Sequence, residues 1–330
     1  MAIVTEVQSP DRDRISADQE KQRIAWLSVI SNTFLVLMKI VVGTAIGSVS
    51  IISEAIHSGI DLVAAVIAFF AVRKSSEPPD SLHQFGHGKI EDLSGFIEAI
   101  LIFVAAAMII REAVIKLMGG GETLLVEGLG AGVLVMLISG LVNYYVSNRL
   151  MKVAKRTESI ALASDAWHLR TDVYTSLGVF AGLILIKLTG ILILDSVVAI
   201  VVACFILKAA YDLTVRSLSD LVDHRLSDEE EEQIRAIISS HCTQYADFHA
   251  LRTRRSGPDR FIDLHLCVSK NLTVEEGHDL ADHVEKDLKN ALPRSNVSIH
   301  VEPCNGECRD CDSLCSDRTT GYCSQAPEEE

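Results

Sequence analysis

Two nine-residue strings, SEAIHSGID from Ser53 and SDAWHLRTD from Ser164, each place a histidine four residues ahead of an aspartate. An i, i+4 pair shares one helix face about one turn apart, so two such helices facing each other present two imidazoles and two carboxylates. That is the donor set of a tetrahedral zinc cage. Both strings lie in apolar stretches, where ionisable groups are expensive unless paired or bound to an ion. His57, Asp61, His168 and Asp172 are therefore read as a cation site. The rival reading, His and Asp bonding only each other across a helix bundle, accounts less well for the depth, the duplication and the balanced donor count. Two carboxylates cancel the charge of one divalent ion. Four protein ligands saturate zinc and leave no position for an activated water, which suits reversible occupancy better than hydrolysis. Glu54 and Asp165 each stand three residues before a histidine of the set. Accepting the imidazole N–H, relaying protons and lining a wet vestibule are all roles open to them.

Three further groups carry chemistry. The loop EPPDSLHQFGHGK holds Asp80, His83 and His87 within eight residues, enough for a three-ligand site with an exchangeable fourth position. Lys89, which follows it, and the acids Asp220 and Asp223 are candidates for charge pairs that hold helices together at the membrane surface. The C-terminal stretch crowds Cys304, Cys308, Cys311, Cys315 and Cys323 together without the paired C-x2-C repeats of a zinc ribbon. Soft-metal binding and an unstructured tail both fit it, and the clustering does not resemble a secreted disulfide framework.

The elements that must position these residues divide along the chain. A mean hydropathy of +0.28 with 48% hydrophobic residues is high for a soluble chain, and 22% charged is too many for a wholly buried one. Apolar material fills residues 24–213, and six stretches near 24–48, 50–72, 93–117, 124–147, 161–187 and 191–213 have the length an α-helix needs to cross a bilayer. Residues 1–23 are polar and show no cleavable signal pattern. Arg12, Arg14, Lys21 and Arg23 precede the first stretch; Arg73, Lys74 and Lys89 lie between the second and third; Arg149, Lys152, Lys155 and Arg156 lie between the fourth and fifth. By the positive-inside rule both termini are expected in the cytoplasm. The net charge of −14, concentrated after residue 217, argues against a nucleic-acid partner.

From 214 to 303 the pattern becomes a small soluble α+β unit, with residues 304–330 as a Cys-rich acidic tail. Ser227 caps a helix that opens on acids. Two β-rich runs joined at Ser256-Gly257-Pro258-Asp259 follow, then a helix over about Val274 to Leu292 and a last strand NVSIHVE. Alternation puts Ile262, Leu264, Leu266 and Val268 on one face and Asp263, His265 and Cys267 on the other; His300 and Glu302 likewise point away from the apolar layer. His278 and Asp282 form another i, i+4 pair. Converging imidazoles and carboxylates on a solvent-facing sheet make a second metal site.

HSGID and HLRTD, the FGHGK loop with its preceding Asp and His, and LRTRRSGPDRFIDLHL together resemble the cation diffusion facilitator family of metal transporters. The resemblance runs from the first apolar stretch to Pro303. It implies a homodimer of multi-pass protomers in the cell (inner) membrane, each with six transmembrane helices and a cytoplasmic ferredoxin-like αββαβ domain. It implies export of a divalent cation, Zn2+ and also Cd2+, against protons as counter-substrate, with Fe2+, Co2+, Ni2+ or Mn2+ as alternative cargo. A membrane-anchored metal sensor and an intramembrane metallohydrolase are the rivals from other classes. Carried over by position, the resemblance implies transport ligands at His57, Asp61, His168 and Asp172 and loop ligands at Asp80, His83 and His87. It also implies cytoplasmic ligands at His249, His265, His278, His300 and Glu302, with Zn2+ there as a structural or regulatory ion. Glu302 stands where the family has Asp. His57 stands where bacterial members often have Asp, a pattern similar to zinc-selective relatives, whereas manganese-type members favour carboxylate and amide oxygens there.

Overall fold

The computed structural model describes residues 10–46, 49–118, 129–189 and 193–304. They form two compact units that divide between Leu221 and Val222.

The first unit holds six long helices: α1 (Pro10–Ile46), α2 (Val49–Ser75), α3 (Lys89–Leu117), α4 (Leu129–Thr157), α5 (Ile160–Thr189) and α6 (Ile193–Leu221). Among the described residues, four stretches, within α1, α2, α3 and α6, are long and apolar enough to cross a membrane. In α5, Asp165, Arg170 and Asp172 fall within eight residues. That helix packs against α2, α3, α4 and α6, with Asp165 buried and Arg170 and Asp172 half-buried. Ala25, Val72, Leu150, Leu162 and Leu169 bury one core between α1, α2, α4 and α5, and Ala99, Ile102, Ile206 and Ala210 bury another between α3 and α6. Small residues set the spacing here. A Cβ on Gly95 of α3 would lie 3.0 Å from Ser217 Oγ and 3.1 Å from Ser164 Oγ, so the glycine is what lets three helices approach.

The first helix begins at Pro10, well before the apolar stretch that starts near residue 24. Its upstream part is built from Asp, Arg, Glu, Gln and Lys, which disfavour hydrocarbon but favour or tolerate helix, so the helix outruns the apolar span. Lys21, expected as a flanking cation, is fully buried: its Nζ lies 2.8 Å from Glu91 Oε1 and 3.2 Å from Asp18 Oδ1. Glu91 also accepts from Ser75 Oγ at 2.6 Å and from Ser159 Oγ, joining α1, α2, α3 and the turn before α5 at one carboxylate.

The second unit runs α7 (Asp228–Ser240), β1 (Asp247–Ser256), β2 (Asp259–Val268), α8 (Val274–Ala291) and β3 (Ser295–Pro303). Capping boxes start both helices, Ser227 with Glu230 and Thr273 with Glu276. The strands form a sheet in the order β1-β2-β3, with β1 antiparallel and β3 parallel to β2. Gly257, at φ 55°, supplies the left-handed residue of the β1–β2 turn. Ile262, Leu264 and Leu266 meet Ile234, Ile238, Leu280, Val284 and Leu288 of the two helices in a single core, leaving the opposite sheet face to polar residues.

Glu230 has a second role beyond its cap. Its Oε1 accepts from Arg255 Nη2 and Arg260 Nε, each at 2.7 Å. Burial opposes its charge, but the Arg260 hydrogen bond and the two guanidinium charges outweigh that and hold its pKa below the usual carboxylate range. A carboxyl with a depressed folded pKa stabilises fully above the unfolded value, and the contribution is lost as pH falls through the folded one. Glu230→Gln is expected to cost about 1–2 kcal/mol after solvent screening. Amide exchange of β1 and β2 in the full-length protein reads this, and the gap from wild type should close on acidification.

Candidate metal centres

The two HxxxD repeats come together inside the helical unit. His57 and Asp61 on α2 face His168 and Asp172 on α5, and single donor atoms of His57, Asp61 and Asp172 all lie within 4.8 Å of one another. His168 Nε2 is 3.0 Å from Asp61 Oδ1, and His57 Nε2 is 4.0 Å from Asp172 Oδ1. Asp61 and His168 are buried, Asp172 half-buried and His57 exposed. The i, i+4 spacing gives each helix one His and one Asp on the facing side, and the crossed His–Asp pairing links the two helices.

Two residues around this quartet escaped the sequence reading. Lys39 of α1 is buried, donates to Ser58 Oγ at 2.8 Å and lies 3.2 Å from Glu54 Oε2, so Glu54 is in an ion pair. Asn143 of α4 donates from Nδ2 to Asp172 Oδ2 at 3.2 Å. A lone cation in the first apolar stretch and a lone amide in the fourth were the available signals. Asp165 is fully buried one turn before His168, and neither carboxylate oxygen has a hydrogen bond of good geometry. Because Asn143 orients a carboxylate of the quartet, Asn143→Ala is expected to weaken cation uptake at that site about 10- to 100-fold, read as a rise in half-saturating metal concentration.

The loop group converges as well. Asp80 Oδ1 accepts the backbone N–H groups of His83 at 2.6 Å and Leu82 at 2.8 Å, a turn that curls the loop around its own carboxylate. Those bonds, the His83 one first, push its pKa down to about 2. His87 Nε2 sits 3.2 Å from Asp80 Oδ2, and the rings of His83 and His87 are 4.5 Å apart. His87 is buried, yet neither of its ring nitrogens has a hydrogen bond of good geometry. A buried imidazole beside an ionised carboxylate suits a metal ligand.

In the second unit the register explains the third cluster. His249 on β1 pairs with His265 on β2, which pairs with His300 on β3, while Cys267 pairs with Glu302. A bulge follows His249, with Ala250 at φ 51°, and the pairing resumes at Arg252. Glu302 Oε1 is 3.1 Å from His249 Nε2, and Oε2 is 3.4 Å from His265 Nδ1 and 4.0 Å from His300 Nε2. The Cys267 thiol and the two nearer imidazoles hold the Glu302 pKa below its ordinary value, the thiol hydrogen bond contributing most. His278 is on α8, exposed, and lines a cavity with Ile299, Val301 and Glu302, while its partner in spacing, Asp282, accepts from Lys286 at 2.5 Å. Among the described residues, the donors that converge within 4.8 Å here are those of His249, His265 and Glu302, and neither His278 nor His300 is among them.

Of the remaining candidates, Lys89 Nζ donates to the Leu221 carbonyl at 3.0 Å, a cation at the C-terminal end of α6. Asp223 Oδ1 lies 3.3 Å from Arg254 Nη1. Cys304 closes β3, buried beside Ala246 and Cys267. Cys308, Cys311, Cys315 and Cys323 lie outside the described residues.

Residues 25–222 match the model of the cation efflux transmembrane domain, and residues 226–304 that of the cation efflux protein cytoplasmic domain. The chain belongs to the cation diffusion facilitator family. An uncharacterized transporter of Synechocystis sp. is 35% identical over 257 residues, 78% of this chain and 82% of that one. The cation-efflux pump FieF of Shigella boydii is 31% identical over 287 residues, 86% of this chain and 93% of that one. A solved structure of CzrB in its Zn form is 42% identical, covering 26% of this chain and 96% of that one, with a TM-score of 0.25. The facilitator is thus a multi-pass membrane protein and a metal-cation efflux transporter rather than an enzyme.

Proposed function

We propose that this facilitator exports Zn2+, and Cd2+ with it, from the cytoplasm in exchange for protons. It works as a homodimer in the cell inner membrane, each protomer crossing the bilayer six times with both termini inside. The observation that carries the reading is the meeting of His57, Asp61, His168 and Asp172 between α2 and α5, two imidazoles and two carboxylates that together neutralise one divalent ion. Zinc and cadmium accept this mixed nitrogen and oxygen set readily. Both imidazoles must be neutral to bind metal, so an acidic receiving side protonates them and releases the cargo. Asp80, His83 and His87 take the cation at the loop, and metal at His249, His265 and Glu302 steadies the dimer.

The test is uptake of Zn2+, Cd2+, Mn2+, Fe2+ and Co2+ by proteoliposomes under an imposed pH gradient. Zinc flux that grows as the receiving side is acidified supports the proposal. Flux absent for zinc, or indifferent to the gradient, refutes the cargo or the exchange respectively.

A further inference from the structure

The polar face of the sheet holds a sulfur that the histidine and carboxylate cluster does not account for. Cys267 is third in the run Asp263, His265, Cys267 along β2, so it emerges on the same side as His265. Its strand partners are Asp247 on β1 and Glu302 on β3. Cys267 Sγ lies 3.3 Å from Glu302 Oε1 and 3.7 Å from His249 Nδ1. A cysteine kept only for packing would direct its sulfur at carbon. This one is 2% exposed, with Ala246 and Cys304 alongside, while its sulfur meets Glu302 Oε1 and the Nδ1 edge of the His249 ring, whose Nε2 faces the same carboxylate.

We propose that Cys267 is a thiolate ligand of the metal centre formed by His249, His265 and Glu302. The inference rests on reading that cluster as a metal centre. It makes the donor set one sulfur, two nitrogens and one oxygen, the four that a closed zinc site requires. Binding a divalent cation displaces the thiol proton to solvent, and the thiolate and the Glu302 carboxylate then balance the two positive charges. Sulfur also sets selectivity. Thiophilic cations such as zinc, cadmium and cobalt gain a soft ligand, whereas manganese and magnesium gain nothing from it. The cytoplasmic domain is then a detector of thiophilic metals, discriminating more sharply than the sulfur-free transport quartet.

Cobalt substitution in the purified full-length protein tests this, because a thiolate on cobalt produces a charge-transfer absorption that imidazole and carboxylate do not. The protein is prepared with every cysteine except Cys267 changed to serine, so only one sulfur can report. The expected result is a sulfur-to-cobalt band that His265→Ala abolishes. Cys267→Ser, and Cys267→Ala as a second variant, should remove that band while leaving cobalt ligand-field bands in place. Cadmium affinity at the centre should fall at least about tenfold in either variant, with manganese affinity unchanged. Ligand-field bands that depend on His265 but carry no sulfur absorption when Cys267 is present would overturn the thiolate assignment and leave the metal centre standing. No His265-dependent cobalt at all would overturn the metal-centre reading, and the thiolate with it.

Discussion

Asp61→Ala is expected to reduce zinc flux by more than about a hundredfold, beyond what losing an outer-shell partner of a metal site costs. Three consequences fall on the same atoms. The cage loses one of four donors. The two-carboxylate balance against a divalent ion becomes one, in a setting where unbalanced charge is expensive. His168, which is 7% exposed, loses the carboxylate 3.0 Å from its Nε2. Asp61→Asn keeps the volume and an oxygen donor but not the charge, so its flux should fall between alanine and wild type. Loading of the cytoplasmic centre with cobalt should be the same in all three proteins, which separates a lost ligand from a misfolded chain. If Asp61→Ala retains more than about a tenth of wild-type flux, Asp61 is not a transport ligand.

Why that site could be read from sequence, and its surroundings could not, follows from the geometry of regular elements. A four-residue spacing in a helix guarantees a shared face, so the quartet was visible once two copies of it stood in apolar stretches. The alternation of β2 and β3 in the same way put His265, Cys267, His300 and Glu302 on one side of a sheet. What spacing along one element does not encode is which element lies next to it. Lys39 against Glu54 and Asn143 against Asp172 join different helices, and nothing in the local pattern of α1 or α4 announces the partner. Lys21 shows the same limit from the other side. Composition alone makes it a flanking cation, yet Glu91, 70 residues away in sequence, draws it into the interior. The bulge at Ala250 was hidden as well, since alanine carries no signal for a positive φ. His278 comes from the family resemblance by position; it stands on α8 and lines a cavity with Glu302, and strand alternation carries no information about a helix residue.

His57 is the ligand on which cargo choice turns. Its Nε2 is 4.0 Å from Asp172 Oδ1, the looser of the two His–Asp contacts, and its ring is the exposed member of the quartet. His57→Asp would exchange a borderline nitrogen for a hard oxygen and raise the carboxylate count from two to three. Two effects should follow together. Oxygen-rich sets favour manganese relative to zinc, so the ratio of zinc to manganese flux is expected to fall by about tenfold or more, on the order of 1.4 kcal/mol in relative binding. The third carboxylate beside Asp172 also repels it until a cation arrives, which penalises the empty site and slows release. Proton coupling should change in a definite direction too. The imidazole must be neutral to bind metal, so replacing it with a carboxylate removes one acid-triggered release step. Zinc flux in the variant should therefore respond less to a receiving side moved from neutral to mildly acidic pH, while wild type responds fully. Paired measurement of the flux ratio and its pH response separates the two effects. A variant that shifts the pH response but not the ratio would mean that His57 carries protons without choosing the metal.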